Sequence, residues 1–230
     1  LFLSWGMHPS ATRIFNELVE TFPPGRSRND VLTLIERLQY RRSLHESVIR
    51  TFNLLSPEEV TDQARYLAGM SHYALGDYDR AIAVIEKIPA GSPYFSFAGL
   101  ASAQSYFQAN RADVSVDRLE IRLDQYAKTK DSDEMELDQK IRLVLGHIHS
   151  EMGHPEKALP VFSSIPSDSI FFPETLFALA WVHLQEKRYP EAILAFRSLI
   201  QTNPQLHYAQ EALTSIGDAF YRMGAIHSAY

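Results

Sequence analysis

Apolar residues recur three and four positions apart along most of the chain, and short polar breaks interrupt them. One such stretch begins at Leu179, a break follows around Tyr189, and a second stretch runs from Ala192 to Ile200. This spacing places side chains on one face of an α-helix. The pattern therefore predicts an all-α protein in which amphipathic helices follow one another in pairs.

The helical pairs repeat: a small residue is followed seven positions later by a turn residue, and five positions after that by an alanine. Such copies start at Gly69, Gly146 and Ala180, and the alanines of the last two copies are 34 residues apart. A small residue in mid-helix predicts close approach of a neighbouring helix, and Gly217 occupies this position near the end of the chain. Glycine or asparagine at the turn position predicts a left-handed backbone conformation. These turn residues are Gly76, Asn110, Gly153 and Gly224.

This pattern resembles the tetratricopeptide repeat family, whose unit is a helix–turn–helix of about 34 residues. The resemblance rests on the small, turn and alanine positions and on Phe162 and Phe196, which stand four residues after their alanines. Pro93 and Pro204 at the ends of units add to it. The resemblance implies a right-handed superhelical α-solenoid of stacked hairpins, because one hairpin cannot bury its apolar face alone.

The repeat register extends over the whole chain and predicts a single array that is cut from a longer protein. Its predicted parts are a half repeat (1–27), repeats at approximately 28–61, 62–95, 96–129, 139–172 and 173–209, and a partial repeat (210–230). The copy from Arg28 lacks the glycines, and the copy from Ser96 has Asn110 and Ser115 at the turn and alanine positions. An acidic insertion at approximately 126–138 breaks the register. Two interpretations stay open: a longer helix with an exposed linker that the fold tolerates, or a hinge or docking tip between two halves of the array.

The resemblance also implies where a partner binds, since in this family the first helix of each unit lines a concave groove. The residues predicted to line it are Tyr66, Met70, Tyr73, Gln104, Phe107, His147, Phe177, Trp181 and Tyr221. Rigid aromatic side chains and methionines are favoured where apolar partners dock. The alternative is that residues such as Tyr66 and Trp181 only pack between adjacent repeats.

A subset of the family grips a C-terminal carboxylate with lysine, asparagine and arginine on this stripe. The matching positions here hold residues such as Met70, Gln104 and His147, and none of them holds a lysine or an arginine. We therefore expect a protein or peptide partner with an apolar or aromatic segment, and not a C-terminal carboxylate.

Composition and motifs argue against catalysis in these residues. The chain has no cysteine, which excludes disulfides and thiolate chemistry, and its net charge of −6 gives no reason to collect on nucleic acid. His72, His149 and His183 share one repeat position and are expected to pack between helices, so no metal or cofactor is predicted. No apolar run of about 18 residues occurs, so no membrane insertion is predicted for this fragment.

The sequence thus predicts a non-enzymatic scaffold that binds a partner segment in a groove. The last full unit, which begins near Tyr189, is similar to bacterial lipoproteins that serve outer-membrane protein assembly and the Tol–Pal system, and this similarity favours the periplasm or cell envelope. One alternative is a regulatory or substrate-recruiting arm of a larger enzyme or polysaccharide-export machine. Another is a self-assembling module that forms a homodimer through its end segments, 1–5 and 211–230.

Overall fold

The computed structural model describes residues 26–126, 132–205 and 207–224, together with Arg13, Glu17 and Thr21. Within these ranges the regular structure is helical, with no strand, which confirms the predicted all-α fold class. The α-helices of these ranges are α1 (Arg26–Tyr40), α2 (His45–Phe52), α3 (Asp62–Ala74), α4 (Tyr78–Ile85), α5 (Phe95–Gln108), α6 (Ala112–Tyr126), α7 (Ser132–Glu151), α8 (Pro155–Ser163), α9 (Phe172–Gln185), α10 (Tyr189–Thr202) and α11 (Ala209–Arg222). A short 3-10 helix, Pro57–Glu59, precedes α3. The predicted half repeat lies almost wholly outside the described residues.

The chain forms two compact units, residues 1–115 and 116–230. In unit 1, α1 pairs with α2 and α3 pairs with α4, and α5 packs on α4. In unit 2, α7 pairs with α8 and α9 pairs with α10, and α11 packs on α10. The first helix of one pair also contacts the first helix of the next, as α1 does with α3 and α7 with α9. Within each unit, this stacking is the arrangement of a helical-hairpin solenoid.

In the described ranges a residue with left-handed backbone conformation follows each first helix, and at five of these turns the chain then enters the next described helix. The residues with positive φ at these turns are Ser43, Gly76, Asn110, Gly153, Lys187 and Gly224, with φ between 56° and 78°. In the second pair the N–H of Asp77 donates to the carbonyl of His72 at 2.9 Å, and the N–H of Gly76 donates to Tyr73 at 3.0 Å. These bonds satisfy carbonyls that the helix end leaves open. The left-handed conformation predicted at four of these positions is confirmed.

The small-residue position brings two helices of a pair into direct contact. A Cβ added to Gly69 would overlap the side chain of Ile85, and a Cβ added to Gly146 would lie 2.5 Å from the Phe162 ring. The predicted close approach is therefore confirmed at these two glycines. At Gly217 the repeat register puts the partner helix in residues 225–230, outside the described ranges, so close approach there stays a prediction.

The irregular third copy keeps this contact with different residues. Asn110 adopts φ 58° at the turn position, where asparagine is the best tolerated residue after glycine. Ser115 at the alanine position is fully buried, as are Ala81, Ala158 and Ala192 in the other copies. The third copy thus keeps the left-handed turn and the buried small residue of the other copies.

Glu36 is the exception among the small-residue positions, since it stands seven residues before the turn residue Ser43. Its side chain is fully buried, and neither carboxylate oxygen has a hydrogen-bond partner in the ranges described. Burial without a partner disfavours the ionised form, and it raises the pKa of Glu36 from 4.5 to about 9. The first pair therefore holds a neutral carboxyl group where the other pairs hold glycine or alanine.

The acidic insertion contributes to a long first helix. α7 has 20 residues, and its N-terminal turns carry Asp133, Glu134 and Glu136, all exposed. Residues 127–131 lie outside the described ranges. Whether the insertion acts as a hinge or docking tip stays a prediction.

Candidate partner-binding face

The structure places the nine predicted groove residues on first helices in both units. We call the five in unit 1 the unit 1 face, and these are Tyr66, Met70, Tyr73, Gln104 and Phe107. We call the four in unit 2 the unit 2 face, and these are His147, Phe177, Trp181 and Tyr221. All are half-buried except Trp181 and Tyr221, which are exposed.

The aromatic residues of the unit 1 face are anchored in the core. Tyr66, Met70 and Tyr73 pack against a buried cluster that contains Ile85. The ring of Tyr66 lies 5.6 Å from that of Tyr94, and burial raises the pKa of Tyr66 to about 12. The Tyr66 phenol therefore stays neutral at physiological pH, and it can take part in hydrogen bonds but not in ion pairs. This face combines packing between repeats with partial exposure.

Phe177 is the centre of an aromatic cluster in unit 2. Its ring centroid lies 4.8 Å from Tyr208, 5.8 Å from Phe196 and 6.3 Å from Trp181. Because Phe196 is fully buried, its contact with Phe177 anchors the Phe177 ring to the core of the α9–α10 pair. Trp181 also meets Phe196, at 6.4 Å and nearly perpendicular. The cluster holds Trp181 in place while 37% of that side chain remains exposed.

His147 on α7 is held neutral. Its ring lies 5.3 Å from that of Phe162 in an edge-to-face arrangement. Burial lowers the pKa of His147, and the carboxylates of Glu174 and Glu151 oppose the shift only in part. His147 therefore brings an uncharged, partly aromatic surface to the unit 2 face at neutral pH.

Sequence reasoning missed three residues that contribute to this surface: Lys140, Glu174 and Tyr208. The Lys140 ammonium lies 3.9 Å from a Glu174 carboxylate oxygen and 4.9 Å from the centroid of the Phe171 ring. Glu174 also raises the pKa of Tyr208, although burial is the larger cause. Glu174 stands three residues before Phe177, so helical spacing alone was enough to place both on one face.

The three histidines that share a repeat position pack inside the turns. His72 and His149 are buried, His183 is half-buried, and burial is the main cause of a lowered pKa in each. Their carbonyl oxygens accept the turn-closing hydrogen bonds of 2.8–2.9 Å. The donors are the N–H groups of Asp77, His154 and Arg188. In the ranges described, no three His, Cys, Asp or Glu side chains are grouped to hold a metal ion.

Helical hairpins that stack within each unit define the class of helical-repeat proteins. Residues 46–94 and 143–207 match the tetratricopeptide repeat family. These two segments place the chain among the tetratricopeptide repeat proteins. No described helix is long and apolar enough to cross a membrane.

Solved structures of similar fold have low sequence identity. A crystal structure of MamA is 18% identical, covers 73% of this chain and 85% of that chain, and has a TM-score of 0.55. MamA AMB-1 is 19% identical over 72% of this chain and 90% of that chain, also with a TM-score of 0.55. YrrB, described as a TPR protein with an unusual peptide-binding site, is 14% identical over 79% of this chain and 89% of that chain, with a TM-score of 0.54. No curated protein matches in sequence. At these identities the likeness extends to the fold alone.

Proposed function

We propose that this protein is a non-enzymatic interaction scaffold that binds a segment of another protein on the faces of its first helices. The observation that carries the proposal is the exposure of Trp181 (37%) and Tyr221 (67%) on first helices, with Trp181 held by ring contacts to Phe177 and Phe196. Aromatic side chains fixed in this way lose little conformational entropy when a partner covers them, and they dominate binding energy at interfaces.

The protein class supports a scaffold role. Tetratricopeptide repeat proteins generally bind proteins and do not catalyse reactions, and the chain matches this family in both units. The YrrB structure of similar fold is described as having a peptide-binding site. The shifted pKa values on the unit 2 face have burial as their main cause, so they do not require a catalytic role.

Site-specific photo-crosslinking tests the proposal. A benzophenone amino acid replaces Trp181 on α9 or, as a matched control, Leu194 on α10, which is an exposed apolar residue (71%) of a second helix. We expect a discrete protein, identified by mass spectrometry, to be crosslinked from position 181 and not from position 194. Equal crosslinking from both positions, or crosslinking only to a second copy of this chain, would contradict a partner-binding face.

We further propose that the partner belongs to a bacterial cell-envelope assembly. The support is the similarity of the last full unit, near Tyr189, to envelope lipoproteins of the tetratricopeptide repeat family. Fractionation of cells that express the full-length protein tests this proposal. Recovery with the periplasm or envelope agrees with it, and recovery only with cytoplasmic proteins contradicts it.

A further inference from the structure

Negative charge is concentrated in one of the two units. Residues 1–115 carry 11 Lys and Arg against 12 Asp and Glu, whereas residues 116–230 carry 11 against 16. The excess in unit 2 lies on its first helices, α7, α9 and α11. Their acidic residues are Asp133, Glu134, Glu136, Asp138, Glu151, Glu174, Glu211 and Asp218, and their basic residues are Lys140, Arg142 and Arg222. In unit 1, by contrast, α3 has one aspartate and one arginine, and α5 has no charged residue.

Two of these carboxylates, Glu174 and Asp218, lie on first helices at positions related to Trp181. Glu174 precedes it by seven residues, or two helical turns, and so lies on the same side of α9. Asp218 occupies the repeat position of Trp181 on α11. The charge of Glu174 acts on both His147 of α7 and Tyr208, which directly precedes α11. The first helices of unit 2 therefore combine the aromatic residues of the unit 2 face with a surplus of carboxylates.

On α7 and α9 of unit 2, one ammonium group already lies between an aromatic ring and a carboxylate. Lys140 lies 4.9 Å from the centre of the Phe171 ring and 3.9 Å from the carboxylate of Glu174. A ring face and a carboxylate thus hold an ammonium group together. Tryptophan is the ring that attracts cations most strongly. Trp181 offers such a ring in a partly exposed position, on the same side of α9 as Glu174.

We propose that the unit 2 face binds a basic, apolar segment of a partner protein, with a lysine or arginine side chain of that segment against Trp181. This inference rests on the proposed function and names the chemistry of the partner. An acidic segment has little to bind here, because Lys140 and Arg222 are paired with Glu174 and Asp218 and His147 is neutral. A cationic segment gains long-range attraction from the surplus carboxylates.

Four labelled nine-residue peptides test the inference on the full chain. The first alternates lysine with leucine; the second has glutamate for lysine, the third glutamine for lysine, and the fourth serine for leucine. The readouts are fluorescence anisotropy and the NMR signal of the Trp181 indole N–H, which a Trp5→Phe variant distinguishes from that of Trp5. We expect the lysine–leucine peptide to shift the Trp181 signal and to bind at least about tenfold more tightly than the other three peptides.

Three variants separate the contributions. Trp181→Leu retains an apolar side chain without the cation-binding ring, Glu174→Gln with Asp218→Asn removes two charges, and Leu194→Ala is the control. We expect the first two to weaken binding of the lysine–leucine peptide by about three- to thirtyfold and the control to leave it unchanged. Circular dichroism melting shows whether each variant is folded. If Trp181→Leu does not fold, the Glu174→Gln/Asp218→Asn protein still tests whether the carboxylates attract the peptide.

The outcomes distinguish this inference from the proposed function. If the glutamine peptide shifts the Trp181 signal and binds as tightly as the lysine peptide, the face binds segments but the cationic preference is wrong. If the lysine peptide binds equally to all variants, its binding is nonspecific attraction to an acidic protein and the inference is overturned. If no peptide shifts the Trp181 signal while crosslinking from position 181 succeeds, the proposed function stands and the partner chemistry is wrong.

Discussion

The Ser115 hydroxyl of α6 donates a 2.7 Å hydrogen bond to the backbone carbonyl of Ala103 on α5. These two residues occupy the alanine and small-residue positions of the third copy, where two helices approach most closely. The α3–α4 and α7–α8 pairs have an apolar contact at this point, between Gly69 and Ile85 and between Gly146 and Phe162. A buried hydroxyl is tolerated here because it finds an acceptor on the facing helix.

Substitutions at Ser115 should separate the hydrogen bond from the packing. We expect Ser115→Ala to change the free energy of unfolding by no more than about 1 kcal/mol, because the Ala103 carbonyl lies within a helix and the smaller side chain fits. Ser115→Leu should destabilise by about 1–3 kcal/mol through overpacking. Urea denaturation measures both. Equal effects would mean that the two helices are not in close contact at this position.

Gly146 and Gly217 form a matched pair for the close-approach position. Gly146→Ala should destabilise by about 1–3 kcal/mol, since its Cβ would meet the Phe162 ring at 2.5 Å. Gly217→Ala should stabilise by up to about 1 kcal/mol, because a Cβ there meets no neighbour in the described ranges and alanine favours helix. Thermal unfolding of both variants tests this contrast. A change in stability of the same sign in both variants would refute it.

Glu36 should make stability depend on pH. Its pKa is raised to about 9, so its contribution is fully present below the unfolded-state value of 4.5 and is lost as pH rises through about 9. We expect Glu36→Gln to match the natural protein at pH 4 and to be more stable at pH 8 by on the order of a few kcal/mol. Denaturant unfolding at several pH values measures the difference.

The control for Glu36 is Glu46→Gln on α2, because the Glu46 side chain is 76% exposed. This variant should follow the pH dependence of the natural protein. A Glu36→Gln protein that also follows it would show that the Glu36 carboxyl is solvated or paired, contrary to its position between the helices.

The periodic features of this fold were predictable from sequence because each has a local cause. Gly76 and Asn110 mark turns through backbone conformation, and Gly69 marks a helix contact through the absence of a Cβ. Glu36 was not predictable, since its position carries a large charged residue where the other pairs have a small one. Gly217 also fits the pattern by residue type, but its expected partner helix falls outside the described ranges, so that contact stays a prediction.

The candidate site was only partly predictable. Repeat register placed Trp181 and Tyr221 on first helices, where the structure also has them exposed. The repeat register does not predict how exposed a side chain is. It therefore included Phe177 and Tyr66 among the groove residues, although both pack against the core. Tyr208 precedes its helix and lies off the stripe, so its contact with Phe177 depends on the tertiary fold.

The most direct test uses the partner protein that is identified by crosslinking from position 181. Its affinity is measured for two variants of this chain, Tyr221→Ala and Leu194→Ala. Both residues are highly exposed, at 67% and 71%, so neither substitution should alter the melting temperature. Because Tyr221 lies on a first helix and Leu194 on a second helix, we expect Tyr221→Ala to weaken binding by about tenfold and Leu194→Ala to leave it unchanged. Unchanged binding by Tyr221→Ala together with a loss in Leu194→Ala would place the partner on the opposite helices and contradict the account.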